Sequence, residues 1–177
     1  MTRENSRSLL GAAVLLRVGM AAFFDGIVLH QILNWHHMIC QERSCHPLSI
    51  ADLQAKNKAD GWFHLAAYLI TAAGVWRLFR AGGVRAAGTA DAGRLFRGGL
   101  LAGAGGFNVS EGIINHHILG IHHVRFGAAR DIYDVAFLVI SAALLATGIG
   151  LIRRANATPR DNENIDIQNG VTERGVT

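Results

Sequence analysis

Asp25-Gly26-Ile27-Val28-Leu29-His30-Gln31-Ile32-Leu33-Asn34-Trp35-His36-His37 returns 86 positions later as Glu111-Gly112-Ile113-Ile114-Asn115-His116-His117-Ile118-Leu119-Gly120-Ile121-His122-His123. A carboxylate, a glycine, a histidine five places after the carboxylate and a closing histidine pair recur in register. Seven of the nine histidines lie in these two copies, and both copies belong to strongly apolar, helix-like stretches. Ionisable groups are expensive in such surroundings, so their repetition asks for a chemical reason.

Working outward, four apolar stretches emerge at roughly 9–37, 61–80, 98–123 and 132–152. Each approaches the ~20 residues with which a helix crosses a bilayer. The last runs from Val135 to Ile152 without a charge. Half of the 177 residues are hydrophobic, 17% are charged and two are proline. Ala, Leu, Ile, Val and Gly fill every helical face, where a soluble bundle would keep a polar one. The expectation is an all-α integral membrane protein, one four-span domain over residues 1–154. The remainder, 155–177, is rich in Asn, Asp, Thr and Gly and reads as a disordered cytoplasmic tail. Arg3 and Arg7 ahead of an apolar run resemble a secretory signal, but Arg17 and Asp25 interrupt the run, so the first span is read as retained.

Arginine distribution sets the orientation. Arg77, Arg80, Arg85, Arg94 and Arg97 crowd the connection between spans two and three against one acid, Asp91. Arg3, Arg7 and Arg17 open the chain, and Arg153, Arg154 and Arg160 follow the last span. The other two connections hold fewer bases: Arg43, Lys56 and Lys58 in one, Arg125 and Arg130 in the other. The positive-inside rule then puts both termini in the cytoplasm. These arginines account for the net charge of +4, and no nucleic acid is implied. Cys40 and Cys45 fall in the outer loop, where a disulfide is expected; a metal site with His46 fits no zinc spacing.

The repeat extends beyond the histidines. Trp62 to Ala73 loosely matches Ile132 to Ala143, which sets His64 opposite Asp134. Each half is then a helical hairpin, and the two form parallel repeats about a pseudo-two-fold axis along the membrane normal. A four-helix bundle with the histidine helices meeting near its axis follows, with Gly98-Gly99, Gly103, Gly105-Gly106 and Gly148 allowing close approach.

On a straight α-helix Asp25 and His37 stand about 18 Å apart, too far for one metal ion. The groups therefore sort into layers: a rim of His36, His37, His122 and His123; His30 and His116 about 10 Å deeper; Asp25 and Glu111 near mid-membrane. His64 and Asp134 fall between rim and middle. His30, His116, His64 and Asp134, with one histidine from each rim pair, would be metal ligands. Asp25 and Glu111 would be second-shell or deep ligands, with Asn108 and His117 beside them.

Three chemistries suit this set. The leading one is a transition-metal site, copper or iron with zinc also compatible, mononuclear or dinuclear, serving metal handling or oxidoreductase chemistry on the periplasmic side. Facing histidines such as His30 and His116 could instead ligate haem. Asp25, Glu111 and the histidines could also line a proton or metal-ion conduit. The plainer alternatives are interfacial histidines at the helix ends and buried carboxylate–histidine pairs that only fix helix register. No hydrolase signature appears.

Phe23-Phe24-Asp25-Gly26-Ile27-Val28-Leu29-His30-Gln31, Asp60-Gly61-Trp62-Phe63-His64, and Phe107-Asn108-Val109-Ser110-Glu111-Gly112 with His116-His117 and His122-His123-Val124-Arg125 resemble one family. It is the bacterial domain-of-unknown-function family 2243, described as predicted four-span membrane proteins, and the resemblance covers about 10–152. It implies a multi-pass protein of the bacterial inner membrane. Relatives encoded near cytochrome oxidase assembly factors would favour copper or haem and a respiratory-oxidase assembly or redox partner. The histidines are also similar in ligand type to the boxes of membrane di-iron desaturases, but those boxes face the cytoplasm and these are expected to face outward.

Overall fold

The computed structural model describes residues 3–39, 45, 47–83, 85, 89–120 and 122–157, and no strand forms among them. Helix α1, Arg3–Phe24, runs unbroken into a π-helical segment π1, Asp25–Ile32. Helix α2 is Ile50–Arg80. Helix α3, Ala90–Glu111, likewise continues into π2, Gly112–Leu119. Helix α4 is Arg130–Ala157.

The four helices match the four apolar stretches, with informative differences at their ends. Helix α2 starts well before residue 61 because Ser49 caps it, its Oγ accepting from Asp52 N at 3.1 Å. Thr89 caps α3 in the same way, at 3.2 Å from Ala92 N. The first helical stretch ends at Ile32 and not at 37. Helix α4 continues to Ala157, while residues 158–177, the expected tail, lie outside the described residues.

Helix α1 packs on α2, α3 packs on α4, and α1 packs on α3, so the two histidine-bearing helices meet at the centre. Their interfaces are built from small residues, with Ala12, Ala13, Ala67 and Ala104 all buried. A Cβ at Gly74 would stand 2.8 Å from Leu16 N, and one at Gly103 would stand 2.7 Å from Val14 O. One at Gly148 would strike the backbone N of Ala102. Backbones approach closely enough that van der Waals contact between main chains does the packing, as in membrane helices.

The molecule is polar inside and apolar outside. Only 11% of the most apolar 18-residue window of α4 is buried. Ile132, Val139 and Ile140 on α4 and Trp62, Tyr68 and Phe79 on α2 are exposed. Asp25, His30, His36, Asp60, His116, His122 and Asp134 are buried instead. Water would penalise so much exposed apolar surface, and hydrocarbon would not. Glu4–Ile32 and Arg130–Ala157 are long and apolar enough to cross a membrane.

Candidate metal centre

The centre begins with a change of helix type. In an α-helix, residues five apart point about 140° away from each other. The wider i→i+5 turn of π1 brings Asp25 and His30 to one side, with His30 Nε2 3.1 Å from Asp25 Oδ2. Glu111 and His116, also five apart, are brought together by π2.

Next the chain turns back. Leu33 N donates to Val28 O at 2.8 Å and Trp35 N to Leu29 O at 2.9 Å, while Asn34 adopts a left-handed φ of 50°. Gly120, at the corresponding place after π2, has φ 61°. Asn and Gly are the residues that tolerate this conformation most cheaply. Beyond it the histidine pair folds down over its own helix, and His36 Nε2 comes to 3.5 Å from Asp25 Oδ1. The expected column of about 18 Å, a rim above a deeper core, is therefore corrected to one compact cluster. The straight-helix assumption failed because the helix ends before the pair is reached.

Two groups of donors result, each with its ligand atoms within 4.8 Å of one another: Asp25, His30, His36 and His122; and Glu111, His116 and His122. His122 belongs to both, its Nε2 lying 3.0 Å from Glu111 Oε1 and 3.4 Å from Asp25 Oδ2. The imidazoles crowd together, with ring centroids 4.3 Å apart for His36–His122, 4.7 Å for His30–His36 and 5.9 Å for His116–His122.

The far nitrogens are held from outside the cluster. His36 Nδ1 donates to Val124 O at 2.9 Å, and His122 Nδ1 to His37 O at 3.3 Å. A carbonyl only accepts, so both Nδ1 atoms carry a proton and both Nε2 atoms are turned inward. His30 Nδ1 lies 3.1 Å from Asp60 Oδ1, and His116 Nδ1 lies 3.2 Å from Asp134 Oδ1. Phe63 and Phe137 lie 5.7 and 5.4 Å from the same two imidazoles, between ring centroids. Within the cluster Asp25 Oδ2, His30 Nδ1 and Nε2, His36 Nε2 and His116 Nδ1 are buried without a hydrogen-bond partner among the described residues, so Asp60 and Asp134 meet His30 and His116 as close charged neighbours only. Convergent, unsatisfied buried acceptors are costly in a bare protein. They are what a cation would satisfy, so the residues fit a metal ion.

The remaining expected residues divide. His37 Nδ1 lies 2.7 Å from Asp60 Oδ2, and Met38 N donates to Asp60 Oδ1 at 2.7 Å. His123 Nδ1 lies 2.5 Å from Asp134 Oδ2, and Val124 N donates to Asp134 Oδ1 at 3.0 Å. His37, His123 and Asp134 thus brace the cluster and do not enter either donor group. His64 is also outside both groups: its ring stacks on Phe23 at 6.3 Å, and its Nε2 would be 2.5 Å from a Cβ at Gly26. His117 is exposed and donates from Nδ1 to Gly112 O at 2.9 Å. Asn108 is half-buried on α3, one turn before Glu111. Cys45 is buried and disulfide-bonded; Cys40, its expected partner, and His46 lie outside the described residues.

Asp60 was missing from the expected site, and it has the same kinds of partner as Asp134. His64, expected opposite Asp134, is one helical turn further along α2. The signal lay in Asp60-Gly61-Trp62-Phe63 against Asp134-Val135-Ala136-Phe137, which share an aspartate and a phenylalanine three places on. Ahead of the apolar stretch of α2, Lys56 Nζ lies 2.6 Å from Asp52 Oδ1. That ion pair, with the Leu48 N–H, holds the Asp52 carboxyl below its ordinary range.

A family profile described as "predicted membrane protein", domain of unknown function 2243, matches residues 12–155. No curated protein and no solved structure matches the chain.

Proposed function

The chain belongs to this family of predicted membrane proteins, and on that premise we propose that it is a four-span inner-membrane protein holding a transition-metal centre near its outer face. Asp25, His30, His36, Glu111, His116 and His122 are the ligands. Asp60 and Asp134 orient His30 and His116, and the Val124 and His37 carbonyls orient His36 and His122. The observation that carries this reading is the convergence of the His30, His36 and His122 Nε2 atoms on Asp25 and Glu111 in a buried pocket. Imidazole with carboxylate suits iron, copper and zinc; His122 offers one inward nitrogen and so serves one ion, held between the Asp25 and Glu111 sides of the cluster. Copper or iron would supply redox chemistry or be handled as cargo, with both termini in the cytoplasm and the centre on the periplasmic side.

A duplicated architecture supports the assignment. Asp25, His30, His36 and His37 have counterparts at Glu111, His116, His122 and His123; Asp60, Phe63 and Gly74 have counterparts at Asp134, Phe137 and Gly148. Two helical hairpins related by a pseudo-two-fold axis along the membrane normal account for these pairs, including the matched contacts of Asp60 and Asp134.

Neither alternative draws comparable support. A porphyrin needs an open plane between His30 and His116, and the His122 ring crowds both, its centroid 5.2 Å from that of His30 and 5.9 Å from that of His116. A conduit needs polar groups through the whole thickness, whereas Leu9, Ala12, Ala13, Ala92, Leu95 and Ala104 fill the core elsewhere.

The test is elemental analysis, visible spectroscopy and electron paramagnetic resonance on protein purified anaerobically in mild detergent. At least one ion of copper or iron per chain is expected. A Soret band would select haem instead, and absence of any transition metal would overturn the reading.

A further inference from the structure

The two halves of the histidine-bearing end differ in one respect. His37 and Asp60 are 23 residues apart, whereas His123 and Asp134 are 11 apart. Pro47, Leu53 and Asn57, from the longer connection of the first half, wall a cavity of about 530 Å³. His30, Gln31, Asn34, His37, Asn57 and Asp60 face it. In the second half an exposed Arg125 guanidinium stacks 5.4 Å from the Trp35 ring of the first half and 5.6 Å from the Tyr133 ring, and its Nη1 donates to Tyr133 Oη at 3.1 Å.

The chemistry of the hollow selects its occupant. Three carboxamides offer carbonyl oxygens, two histidines offer imidazole nitrogens, and Asp60 adds negative charge. No lysine or arginine is among the described residues lining it. Asp60 repels an anion, whereas a hydrated cation would find oxygen and nitrogen donors in place of its water. His30 belongs both to the cavity wall and to the first donor group, so it joins the hollow to the centre.

Resting on the metal-centre reading above, we infer that this cavity is the port through which a transition-metal cation reaches the centre. The ion exchanges water for the Gln31, Asn34 and Asn57 side chains, then passes His30 to Asp25. Loading is therefore one-sided even though the donors are duplicated.

The test follows Co²⁺ uptake by metal-free full-length protein in detergent, using stopped-flow absorbance as an optical probe of coordination. Asn57 is exposed and belongs to neither donor group, so it can be changed without touching the ligands. Asn57→Arg is expected to slow uptake about tenfold or more, since local charge alters encounter rates of small ions on that scale. The final spectrum and Co²⁺ stoichiometry should stay at wild-type values. Asn57→Asp should accelerate uptake, which keeps the inference testable if the arginine variant folds poorly. Ala128→Arg adds the same charge to the outer loop of the second half and should change the rate less than about twofold. Wild-type rates in both Asn57 variants, or equal slowing by Asn57→Arg and Ala128→Arg, would overturn the port while leaving the centre intact. No uptake of Co²⁺ by the wild-type protein would overturn both.

Discussion

Replacing Asp60 by asparagine separates a metal-orienting carboxylate from a purely structural one. The Asp60 side chain is 97% buried or more; it accepts from His37 Nδ1 at 2.7 Å and Met38 N at 2.7 Å, and His30 Nδ1 lies 3.1 Å away. Asparagine keeps the shape but turns one acceptor into an NH₂ donor. Whichever way the amide is turned, it sets a donor against Met38 N–H or against the imidazoles. A buried group left unsatisfied costs about 1–3 kcal/mol, so the metal-free protein should lose stability on that scale. Loss of an outer carboxylate partner also loosens His30, and such losses weaken metal binding about 10–100-fold, equivalent to about 1.4–2.7 kcal/mol. Chelator competition at fixed pH measures the affinity, and thermal unfolding of the same protein with and without metal measures the stability. Asp134→Asn should give losses of similar size, because Asp134 meets His123, Val124 N and His116 in the same way. If Asp60→Asn lowers the stability of the metal-free protein while affinity stays at the wild-type value, the carboxylate only braces the loop. The centre would then not depend on how His30 is aimed.

Two further outcomes bear on the site and on the packing. His122→Ala removes the donor common to both groups and should reduce bound metal by about tenfold or more, whereas His64→Ala, outside both groups, should leave it within about twofold by elemental analysis. Gly148→Ala pushes a Cβ against the Ala102 backbone and should destabilise the α3–α4 contact by about 1–3 kcal/mol in detergent unfolding. Gly150→Ala, with open space around it, should be neutral or stabilising by up to about 1 kcal/mol. Equal effects of the two glycine changes would mean that the close helix approach is not limiting.

Much of this organisation is legible in the amino acids. The apolar stretches locate the four helices, and the recurrence of Asp25 to His37 as Glu111 to His123 marks the residues that cluster. The distances within the cluster were not legible, because α-helical geometry was assumed throughout. Hydrophobic periodicity does not distinguish an i→i+4 from an i→i+5 turn over eight residues, so the meeting of Asp25 with His30 left no trace in the pattern. The reversal after Ile32 did leave one. Asn34 and Gly120 occupy equivalent places, and these are residues that commonly end helices with a left-handed turn. Asp60 was overlooked for a different reason. Matching apolar residues between α2 and α4 tolerates a slip of one turn, since Ala, Leu and Ile recur at that spacing, and only the aspartate and the phenylalanine after it fix the correct register.

Each histidine helix has one imidazole aimed by the backbone of the other half: His36 by Val124 O, and His122 by His37 O. During synthesis α1 and α2 enter the bilayer first, carrying His30, His36 and Asp25 but lacking the carbonyl that aims His36. The donors contributed by α3 and π2 arrive later, and Asp134 later still. A chain arrested halfway therefore lacks half of the clustered donors, and a completed one brings both donor groups together. On the proposed metal-centre reading, metal occupancy would report whether membrane insertion has reached its last helix.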